Sequence, residues 1–473
     1  MSRERIKADL AIIGAGAAGL VTASGAAQLG RKVVLFEAGE MGGDCLNYGC
    51  VPSKAILTAA HKVHAIREAS KHGIHVGEPS VDFARVRETI QQAITTIEPN
   101  DSQERFEGFG VRVVREYARF VSEDTVASDS VEVKAKRIVV ATGTRAFIPP
   151  VEGLADAPYL TNETIWSLET LPDHLIVMGG GPIGMELGQA FRRLGSKVTV
   201  IEAGEPLSRF ESEHAALVTD QLMADGVILH TGKSAARVQT GDAGITVELS
   251  DGDVVSGSHL LVATGRKPVL DGLDLDVAGV ETDARGIVCD DRLRTSNKRV
   301  LAAGDIAGKG GLTHLAGWHG SVIVRNLYYG LSTGQSSQPI PAAVYTDPPI
   351  AQIGLTEAQA RDAHGDKVKV ASWGFDDNDR AIAEGDVRGG VKLVLGKGGK
   401  VLGAHAAGAR ADDLIQIVSS VMAKGGTVRD LTSPVAPYPT RGEIFKRAAG
   451  SYYEPVVFGS MAKLLARILS AFH

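Results

Sequence analysis

The sequence has few cysteines and few aromatic residues, and it contains no long, strongly apolar run. Three of its 473 residues are cysteine, an odd number that argues against the disulfide framework of a secreted protein and for a reducing compartment. The weakly apolar run from 8 to 27 follows basic residues but contains four glycines, which disfavours a signal peptide. No segment approaches the ~20 apolar residues of a membrane span. We therefore predict a cytoplasmic protein.

The sequence also lacks a strong excess of one charge. Lys and Arg together number 50 and Asp and Glu 56, for a net charge of -6. This balance gives no general electrostatic reason to bind nucleic acid or an anionic membrane. The expected partners are small molecules and protein. At roughly 150 residues per domain, the length predicts about three domains.

Glycine, in contrast, is abundant. The chain has 56 glycines, about 12% of residues where roughly 7% is usual, without the three-residue period of collagen. Such a composition predicts many tight turns and close approaches of the backbone, which nucleotide-binding α/β folds use.

One glycine pattern occurs twice, each time after an apolar strand. In a G-x-G-x-x-G turn the first glycine makes the turn, the second lets the backbone approach a pyrophosphate, and the third lets the following helix pack closely. The helix N-terminus then faces the anion. The two copies, 165 residues apart, consist of Gly14, Gly16 and Gly19, and of Gly179, Gly181 and Gly184.

An acidic residue follows each glycine pattern at the same distance. Glu37 and Glu202 each lie 23 residues after the first glycine of their copy, where a carboxylate accepts hydrogen bonds from ribose hydroxyls. Because the Glu202 carboxylate would repel a 2′-phosphate, we predict NADH in preference to NADPH, with the nearby Arg209 keeping NADPH open.

Each copy also continues to a later apolar strand that ends in Ala-Thr-Gly, so that two dinucleotide sites are implied. The residues assigned to cofactor binding at these strand ends are Thr142 and Gly143 in the first copy and Gly265 in the second.

The chain is predicted to divide at glycine- and proline-rich breaks near 148–153 and 334–341. We predict an α/β protein with two Rossmann-like dinucleotide-binding domains and a C-terminal α+β domain. The predicted boundaries are 1–152, 153–280, 281–340 and 341–473, with the third segment returning to the first domain.

Two of the cysteines, Cys45 and Cys50, lie five residues apart shortly after Glu37. A zinc site completed by His61 and His64 is one interpretation, but the spacing is longer than usual and four protein ligands would close the site to chemistry. Two unrelated buried thiols are another.

A redox-active disulfide is the interpretation that we favour for this pair. Asn47 and Gly49 allow the chain to turn back between the cysteines, and a helix beginning near Cys50 would lower the pKa of that thiol. We predict no resident metal ion.

The segment from Gly42 to Lys54, GGDCLNYGCVPSK, resembles the active-site signature of the flavoprotein disulfide reductases, the class I pyridine nucleotide-disulfide oxidoreductases. That family includes dihydrolipoamide dehydrogenase, glutathione reductase and mercuric reductase. The resemblance extends to both glycine patterns and both Ala-Thr-Gly strands, and to segments near 305, 345–357 and 402–405. It implies that 1–152 and 281–340 bind FAD, that 153–280 binds NAD(P)H, and that 341–473 forms a homodimer interface.

The resemblance also implies a path for electrons. NAD(P)H reduces FAD, FAD reduces the Cys45–Cys50 disulfide, and the dithiol reduces a small-molecule acceptor. Cys50 is then the thiolate beside the flavin and Cys45 the thiol that exchanges with substrate. Lys54 and Glu186 resemble the ion pair that stabilises negative charge on the reduced flavin.

Two further residues are assigned to the flavin by the resemblance. Asp305 resembles the carboxylate that accepts a hydrogen bond from the ribityl chain, and His314 is a candidate for the flavin edge.

Near the C-terminus the sequence departs from most of the family. Where most members have His-Pro-Thr-x-x-Glu, this chain has Tyr438 and Glu443. A tyrosine, with an ordinary pKa of roughly 10 against about 6.5 for histidine, is a poor proton shuttle near neutral pH. Mercuric reductase also has a tyrosine here, but it carries a C-terminal cysteine pair, whereas no cysteine follows Cys289 in this sequence.

The electron acceptor is therefore predicted only as a class: a disulfide, a metal ion or a quinone. The reaction is expected to resemble that of mercuric reductase or of dihydrolipoamide dehydrogenase. The alternative is a flavin-containing redox sensor whose disulfide controls a partner interaction. In the implied homodimer, Cys45 faces the partner subunit's Tyr438 and the partner subunit's Glu443.

The C-terminal tail is predicted to form a short amphipathic helix. We expect its apolar face to pack on the dimer, and we do not favour peripheral membrane contact because the tail has few charges. The apolar residues at helical spacing are Met461, Leu464, Leu465, Ile468, Leu469 and Phe472.

Overall fold

A computed structural model of the chain describes residues 3–242 and 244–471. These residues form two compact units. The first contains the residues up to Ala203 together with Val227–Ser337, and the second contains Gly204–Gly226 together with the residues from Gln338 onward. The predicted four-segment division stays a prediction beside this partition.

The first stretch of the chain builds a largely parallel sheet with helices on its faces. Its parallel strands are continuous apolar runs at 10–13, 33–36 and 138–140, because both faces of a parallel sheet are buried there. The strands are β1 (Glu4–Ile13), β2 (Val33–Phe36), β3 (Val111–Val114), β4 (Arg119–Ser122), β5 (Thr125–Ala127) and β6 (Val131–Val140). The next strand, β7 (Thr144–Ala146), lies outside this sheet and pairs with Arg266–Pro268. The helices are α1 (Ala17–Gln28), α2 (Gly43–Asn47), α3 (Cys50–Glu68), α4 (Phe83–Ile97) and α5 (Gln103–Gly108).

The next stretch repeats the strand-helix-strand unit that begins the chain. The strands are β8 (Tyr159–Leu160), β9 (His174–Met178), β10 (Lys197–Glu202), β11 (Ile228–Thr231), β12 (Ala235–Gly241), β13 (Gly244–Leu249), β14 (Val254–Gly257), β15 (His259–Val262) and β16 (Arg266–Pro268). The helices are α6 (Pro182–Leu194) and α7 (Ser212–Ala224), of which α7 belongs to the second unit.

The chain then returns to the first sheet. Strands β17 (Thr282–Asp283) and β18 (Gly286–Ile287) form a small antiparallel pair, β19 (Val300–Ala302) joins β6 in parallel, and α8 (Thr313–Tyr328) follows. The strand order of the first sheet is β3-β2-β1-β6-β5-β4, with β19 beside β6, and that of the second is β11-β10-β9-β15-β8. The second sheet is parallel throughout, and the first is parallel except at β5 and β4, which pair antiparallel. The parallel parts have the open arrangement of a dinucleotide-binding fold.

The last stretch forms an antiparallel sheet in the order β20-β21-β24-β23-β22. Its strands are β20 (Ala342–Val344), β21 (Ile350–Gly354), β22 (Lys369–Gly374), β23 (Gly390–Leu395) and β24 (Val401–Ala407). Its helices are α9 (Glu357–His364), α10 (Asp379–Glu384), α11 (Ala411–Met422), α12 (Val428–Thr432), α13 (Glu443–Ser451), α14 (Glu454–Val457) and α15 (Ser460–Leu469). The predicted class, with two Rossmann-like cores and a C-terminal α+β part, is confirmed.

Short 3-10 turns connect these elements. They span Ala69–His72, Glu98–Asn100, Leu154–Asp156, Ile165–Ser167, Gly304–Ala307, Gln335–Ser337, Gly365–Lys367, Phe375–Asp377 and Lys397–Gly399. Within residues 3–242 and 244–471, no helix is both long enough and apolar enough to cross a membrane.

Candidate active site

The two glycine loops have nearly identical geometry. Gly14 follows β1 directly with a φ of 107°, and Gly179 follows β9 directly with a φ of 113°. A Cβ atom on either residue would lie 2.4 Å from a carbonyl oxygen, that of Ala141 in the first loop and that of Ala263 in the second. A side chain would therefore be strained and would clash with backbone at both positions, so the tight turn requires glycine.

The third glycine of each loop allows the helix to approach the turn. A Cβ on Gly19 or Gly184 would lie 1.9 Å from the carbonyl oxygen of the first glycine in its own loop. This distance is far inside van der Waals contact. Helices α1 and α6 can thus lie directly against their strands only because these positions lack a side chain.

The middle glycine of each loop faces open space instead. Gly16 and Gly181 are the N-cap residues of α1 and α6, and a Cβ on either would have no neighbour within 4 Å. Packing within the protein would therefore allow a side chain here. A pyrophosphate that approaches the N–H groups at the start of the helix needs this space, which explains the glycine. The residues present therefore fit two dinucleotides.

The two predicted ribose-binding carboxylates occupy equivalent places. Glu37 accepts a hydrogen bond from Ala15 N at 2.6 Å, and Glu202 accepts one from Gly180 N at 2.6 Å. Each carboxylate thus lies against the residue that follows the first glycine of its loop. Both remain predictions as ribose ligands.

The Ala-Thr-Gly segments lie just beyond β6 and β15, at the same edge as the loops. Thr142 donates its hydroxyl to Val269 O at 2.9 Å. Gly143 has a φ of 68° and Gly265 a φ of 143°, conformations that favour glycine where each strand leaves the sheet.

The cysteines Cys45 and Cys50 lie on adjoining helices. Cys45 is in the short helix α2, and Cys50 is the first residue of the long helix α3. A Cβ on the intervening Gly49 would lie 3.0 Å from Asp44 O and 3.3 Å from Cys45 Cα, so the turn is tight. The thiols are free in the structure and are close enough to hydrogen-bond each other.

The two thiols have opposite acidities. The hydrogen bond from Cys45 is the main cause that lowers the pKa of Cys50 to about 6. The same hydrogen bond, followed by burial, raises the pKa of Cys45. These opposite directions favour the thiolate at Cys50 and the proton at Cys45. The roles of the two cysteines toward flavin and substrate stay predictions.

A residue that the sequence did not suggest supports the Cys50 thiolate. The Thr313 hydroxyl lies 3.3 Å from Cys50 Sγ and contributes to lowering the pKa of Cys50. Thr313 is the first residue of α8, so the N-termini of α3 and α8 both meet at this sulfur. The positive end of each helix dipole stabilises an anion there.

The predicted ion pair of Lys54 and Glu186 is present in the structure. Lys54 Nζ lies 2.8 Å from Glu186 Oε2. Lys54 is one turn after Cys50 on α3, and the Glu186 side chain is buried on α6. The positive charge of Lys54 also contributes to lowering the pKa of Cys50.

Asp305 lies in the 3-10 turn after β19 and accepts a hydrogen bond from the Thr144 hydroxyl at 3.0 Å. Burial raises the pKa of Asp305, and the Thr144 hydrogen bond partly offsets this. His314, next to Thr313, is exposed at the start of α8. Their roles toward the flavin stay predictions.

Tyr438 and Glu443 belong to the second unit. The Tyr438 hydroxyl donates to Asp379 Oδ2 at 2.7 Å, and this hydrogen bond is the main cause that raises the pKa of Tyr438, with a smaller contribution from the Glu443 charge. Glu443 is the first residue of α13 and pairs with Arg447 at 3.3 Å.

The alternative zinc site does not assemble. Among the residues that the structure describes, no group of three or more His, Cys, Asp or Glu side chains is arranged to hold a metal ion. His61 and His64 therefore do not complete a set of metal ligands with Cys45 and Cys50.

The fold and the paired glycine loops define an oxidoreductase that binds two dinucleotides. The family model described as "Pyridine nucleotide-disulphide oxidoreductase" matches residues 8–320, and the model for the dimerisation domain of the same family matches residues 340–449. The chain belongs to the pyridine nucleotide-disulphide oxidoreductase family. It is a flavin-dependent enzyme of a family that uses FAD and NAD(P)H, and the dimerisation domain supports a homodimer.

Several relatives cover nearly the whole chain. It is 36% identical to a mercuric reductase of Streptomyces lividans over 95% of this chain and 97% of that protein. It is 35% identical to a dihydrolipoyl dehydrogenase of Geobacillus stearothermophilus over 94% of this chain and 96% of that protein. Since these relatives are named as enzymes, the redox-sensor alternative is not favoured.

A solved structure is similar along the same length. The HOCl-induced flavoprotein disulfide reductase RclA from Escherichia coli, in its Cu(II) complex, has a TM-score of 0.84 and 25% sequence identity, and it covers 93% of this chain and 98% of its own.

Proposed function

We propose that this enzyme passes electrons from NAD(P)H, through the Cys45–Cys50 pair, to a soft metal ion. The observation that supports this acceptor is the state of Tyr438. Its hydroxyl is hydrogen-bonded to Asp379 and its pKa is raised, so the phenol keeps its proton throughout the neutral range. A group that does not exchange its proton is a poor acid and base for thiol exchange.

A soft metal ion does not need that proton. Hg(II) binds thiolates, takes up two electrons and leaves as the metal, whereas the thiolates that leave a reduced disulfide must take up protons from the enzyme or solvent. The names of the mercuric reductase relatives and the Cu(II) complex of RclA agree with a thiophilic metal as acceptor.

The chain's own residues have separable roles in this proposal. When bound, FAD supplies two-electron transfer between the nicotinamide and the thiol pair. Cys50 holds the thiolate, with Thr313 and Lys54 beside it, and Cys45 keeps the proton until it meets the acceptor. We also propose that the partner subunit's Tyr438 and the partner subunit's Glu443 complete the acceptor site.

A disulfide is the second candidate acceptor. The carboxylate of Glu443 at the start of α13 and the 35% identity to a dihydrolipoyl dehydrogenase favour it.

The assay that separates the candidates is NAD(P)H oxidation by the holoenzyme with Hg(II) in excess thiol, lipoamide, glutathione disulfide and a quinone. We expect kcat/KM to be highest for Hg(II), and a lipoamide or quinone value above it would overturn the proposal. Running each acceptor with NADH and with NADPH settles the nicotinamide preference.

Tyr438→His should move the enzyme toward disulfides. An imidazole titrates near neutral pH, and general acid–base catalysis contributes roughly 10²-fold or more. We expect the ratio of lipoamide turnover to Hg(II) turnover to rise by at least about tenfold, measured from initial rates at pH 7. Tyr438→Phe is the matched control, since it removes the hydroxyl without adding a base. An unchanged ratio in the histidine variant would mean that proton transfer does not decide the acceptor.

We propose that the tail helix α15 packs on the second subunit of the homodimer rather than on a bilayer. The family dimerisation domain matched here ends at residue 449, and α15 follows shortly after it. Lys463 and Arg467 are the cations that accompany its apolar face, few for a lipid anchor. The large apolar side chains exposed on it are Met461, Leu464, Leu465, Ile468 and Leu469; Phe472 lies outside the described residues.

Leu465→Glu should therefore weaken the dimer. Losing one buried leucine costs about 1.5–3 kcal/mol, or roughly 10- to 150-fold in dissociation constant. Sedimentation of a dilution series measures this, with Ser470→Glu, at the exposed end of α15 and opposite its apolar face, as the control. Equal dissociation constants for both variants, or cosedimentation of the native enzyme with anionic phospholipid vesicles, would contradict the proposal.

A further inference from the structure

Asp44, the residue before Cys45, has a carboxylate that is held in a fixed position. Its Oδ1 accepts a hydrogen bond from Asn162 Nδ2 at 3.0 Å and lies 3.2 Å from Arg266 Nη2. Asn162 is buried. Because both donors meet the same oxygen, they leave Oδ2 to point elsewhere.

The second oxygen faces the turn between the two cysteines. Asp44 Oδ2 lies 3.1 Å from the position that a Cβ on Gly49 would occupy, and Cys45 Cα lies 3.3 Å from that position. The Asp44 charge therefore lies next to the backbone that joins the thiols. The pKa of Cys50 reflects this charge. Cys45, Thr313 and Lys54 lower that pKa, whereas the negative charge of Asp44 raises it.

The charge of Asp44 is not fully neutralised by Arg266. The same guanidinium donates to the Thr144 hydroxyl at 2.8 Å, and that hydroxyl donates to Asp305. Arg266 lowers the pKa of Asp305 while Asp44 raises it, so one cation is shared between two carboxylates.

The same imbalance holds around the whole thiol pair. The other nearby cation, Lys54, is paired with Glu186. In this set of described residues, two cations face three carboxylates. On the outer side of the turn, burial raises the pKa of Tyr48, and the negative charges of Glu40, Glu163 and Asp44 raise it further. Asp44 therefore acts on the groups of this turn as a negative charge, and Arg266 and Lys54 each have a carboxylate partner.

We propose that Asp44 is a specificity-determining residue, whose fixed negative charge beside Cys45 disfavours anionic acceptors and favours neutral or cationic ones. This deepens the proposed function, on which it rests for the identity of Cys45 as the exchanging thiol. The physical basis is Coulombic: a unit charge within several ångströms changes the local concentration of a charged reactant severalfold, and it does so in opposite directions for anions and cations.

Alkylation of the reduced holoenzyme tests the field without any turnover. Iodoacetate and iodoacetamide attack the same thiolate, so the ratio of their rates at Cys45, followed by mass spectrometry, cancels the thiolate fraction and leaves the effect of charge. We expect Asp44→Asn, which keeps an oxygen for Asn162 and Arg266, to raise the iodoacetate-to-iodoacetamide ratio about fivefold at low salt. The increase should shrink at 1 M KCl.

Three control variants separate charge from structure. Asp276→Asn makes the same net charge change at an exposed position distant in sequence from the cysteines, Asn162→Ala loosens the Asp44 side chain without changing charge, and Asp44→Glu keeps the charge. All three should stay within about twofold of the native ratio. An unchanged ratio in Asp44→Asn, or an equal rise in Asp276→Asn, would overturn the proposal.

The same variants should change the preference among acceptors. Cystamine, a dicationic disulfide, and 3,3′-dithiodipropionate, a dianionic one, are matched probes, and Asp44→Asn should lower the cystamine-to-dithiodipropionate ratio of kcat/KM by about fivefold. The two proposals fail separately. Absence of Hg(II) reduction leaves the alkylation ratio intact, and an unchanged alkylation ratio leaves the Hg(II) assay intact.

Discussion

Cys50→Ser will abolish the long-wavelength absorbance band that anaerobic NADH titration of the yellow holoenzyme should produce, whereas Cys45→Ser will retain the band. The band arises from a thiolate next to the flavin, and the structure favours the thiolate at Cys50, whose pKa is lowered to about 6. Both variants should lose at least roughly 10³-fold in acceptor reduction, since residues that act as a unit fail together. Retention of the band in Cys50→Ser would overturn the assignment of Cys50 as the thiolate beside the flavin.

The same band should depend on pH. Because the thiolate is the charged form, the band should be complete above the pKa of Cys50 and fade as the pH falls through about 6. Thr313→Val removes the hydroxyl 3.3 Å from Cys50 Sγ, and we expect the midpoint to move upward by about one pH unit. A midpoint that stays in place would mean that Thr313 does not support the thiolate.

The parts of the site that could be predicted from sequence are those encoded by local backbone geometry. Gly14 and Gly179 have a positive φ and lie close to a backbone carbonyl oxygen. Both conditions exclude a side chain, so the sequence shows a glycine at a fixed place in each loop. Cys45 and Cys50 flank a short turn, and the turn-forming Asn47 and Gly49 between them suggested that the thiols meet.

Contacts between distant segments could not be predicted in this way. Thr313 lies 263 residues from Cys50, and an isolated threonine at the start of a helix gives no signal of its own. Asp44 lies in the segment from Gly42 to Lys54 that carries the family resemblance. Its fixed position, however, depends on contacts with Asn162 and Arg266, which are distant in sequence. Only the three-dimensional arrangement reveals that one arginine serves two carboxylates.

Gly16→Val and Gly181→Val form a matched pair of tests for the two nucleotide sites. Each glycine begins its helix with an extended backbone that any residue adopts, with φ near -79° and -74°. A Cβ at either position would meet nothing within 4 Å, so the fold itself should tolerate a side chain. The space that the valine enters is the space that a pyrophosphate needs.

We therefore expect opposite losses from the two variants. Gly16→Val should purify as a folded but colourless protein, while Gly181→Val should stay yellow and show a KM for NAD(P)H raised at least about 100-fold, a loss of roughly 2.7 kcal/mol of binding. Flavin absorbance per protein, steady-state kinetics and thermal melting of each variant measure this. Gly108→Val, at another glycine with open space around its Cβ but outside both loops, controls for the added bulk. If Gly181→Val lost its flavin and Gly16→Val kept it, the assignment of FAD to the first fold and NAD(P)H to the second would be reversed.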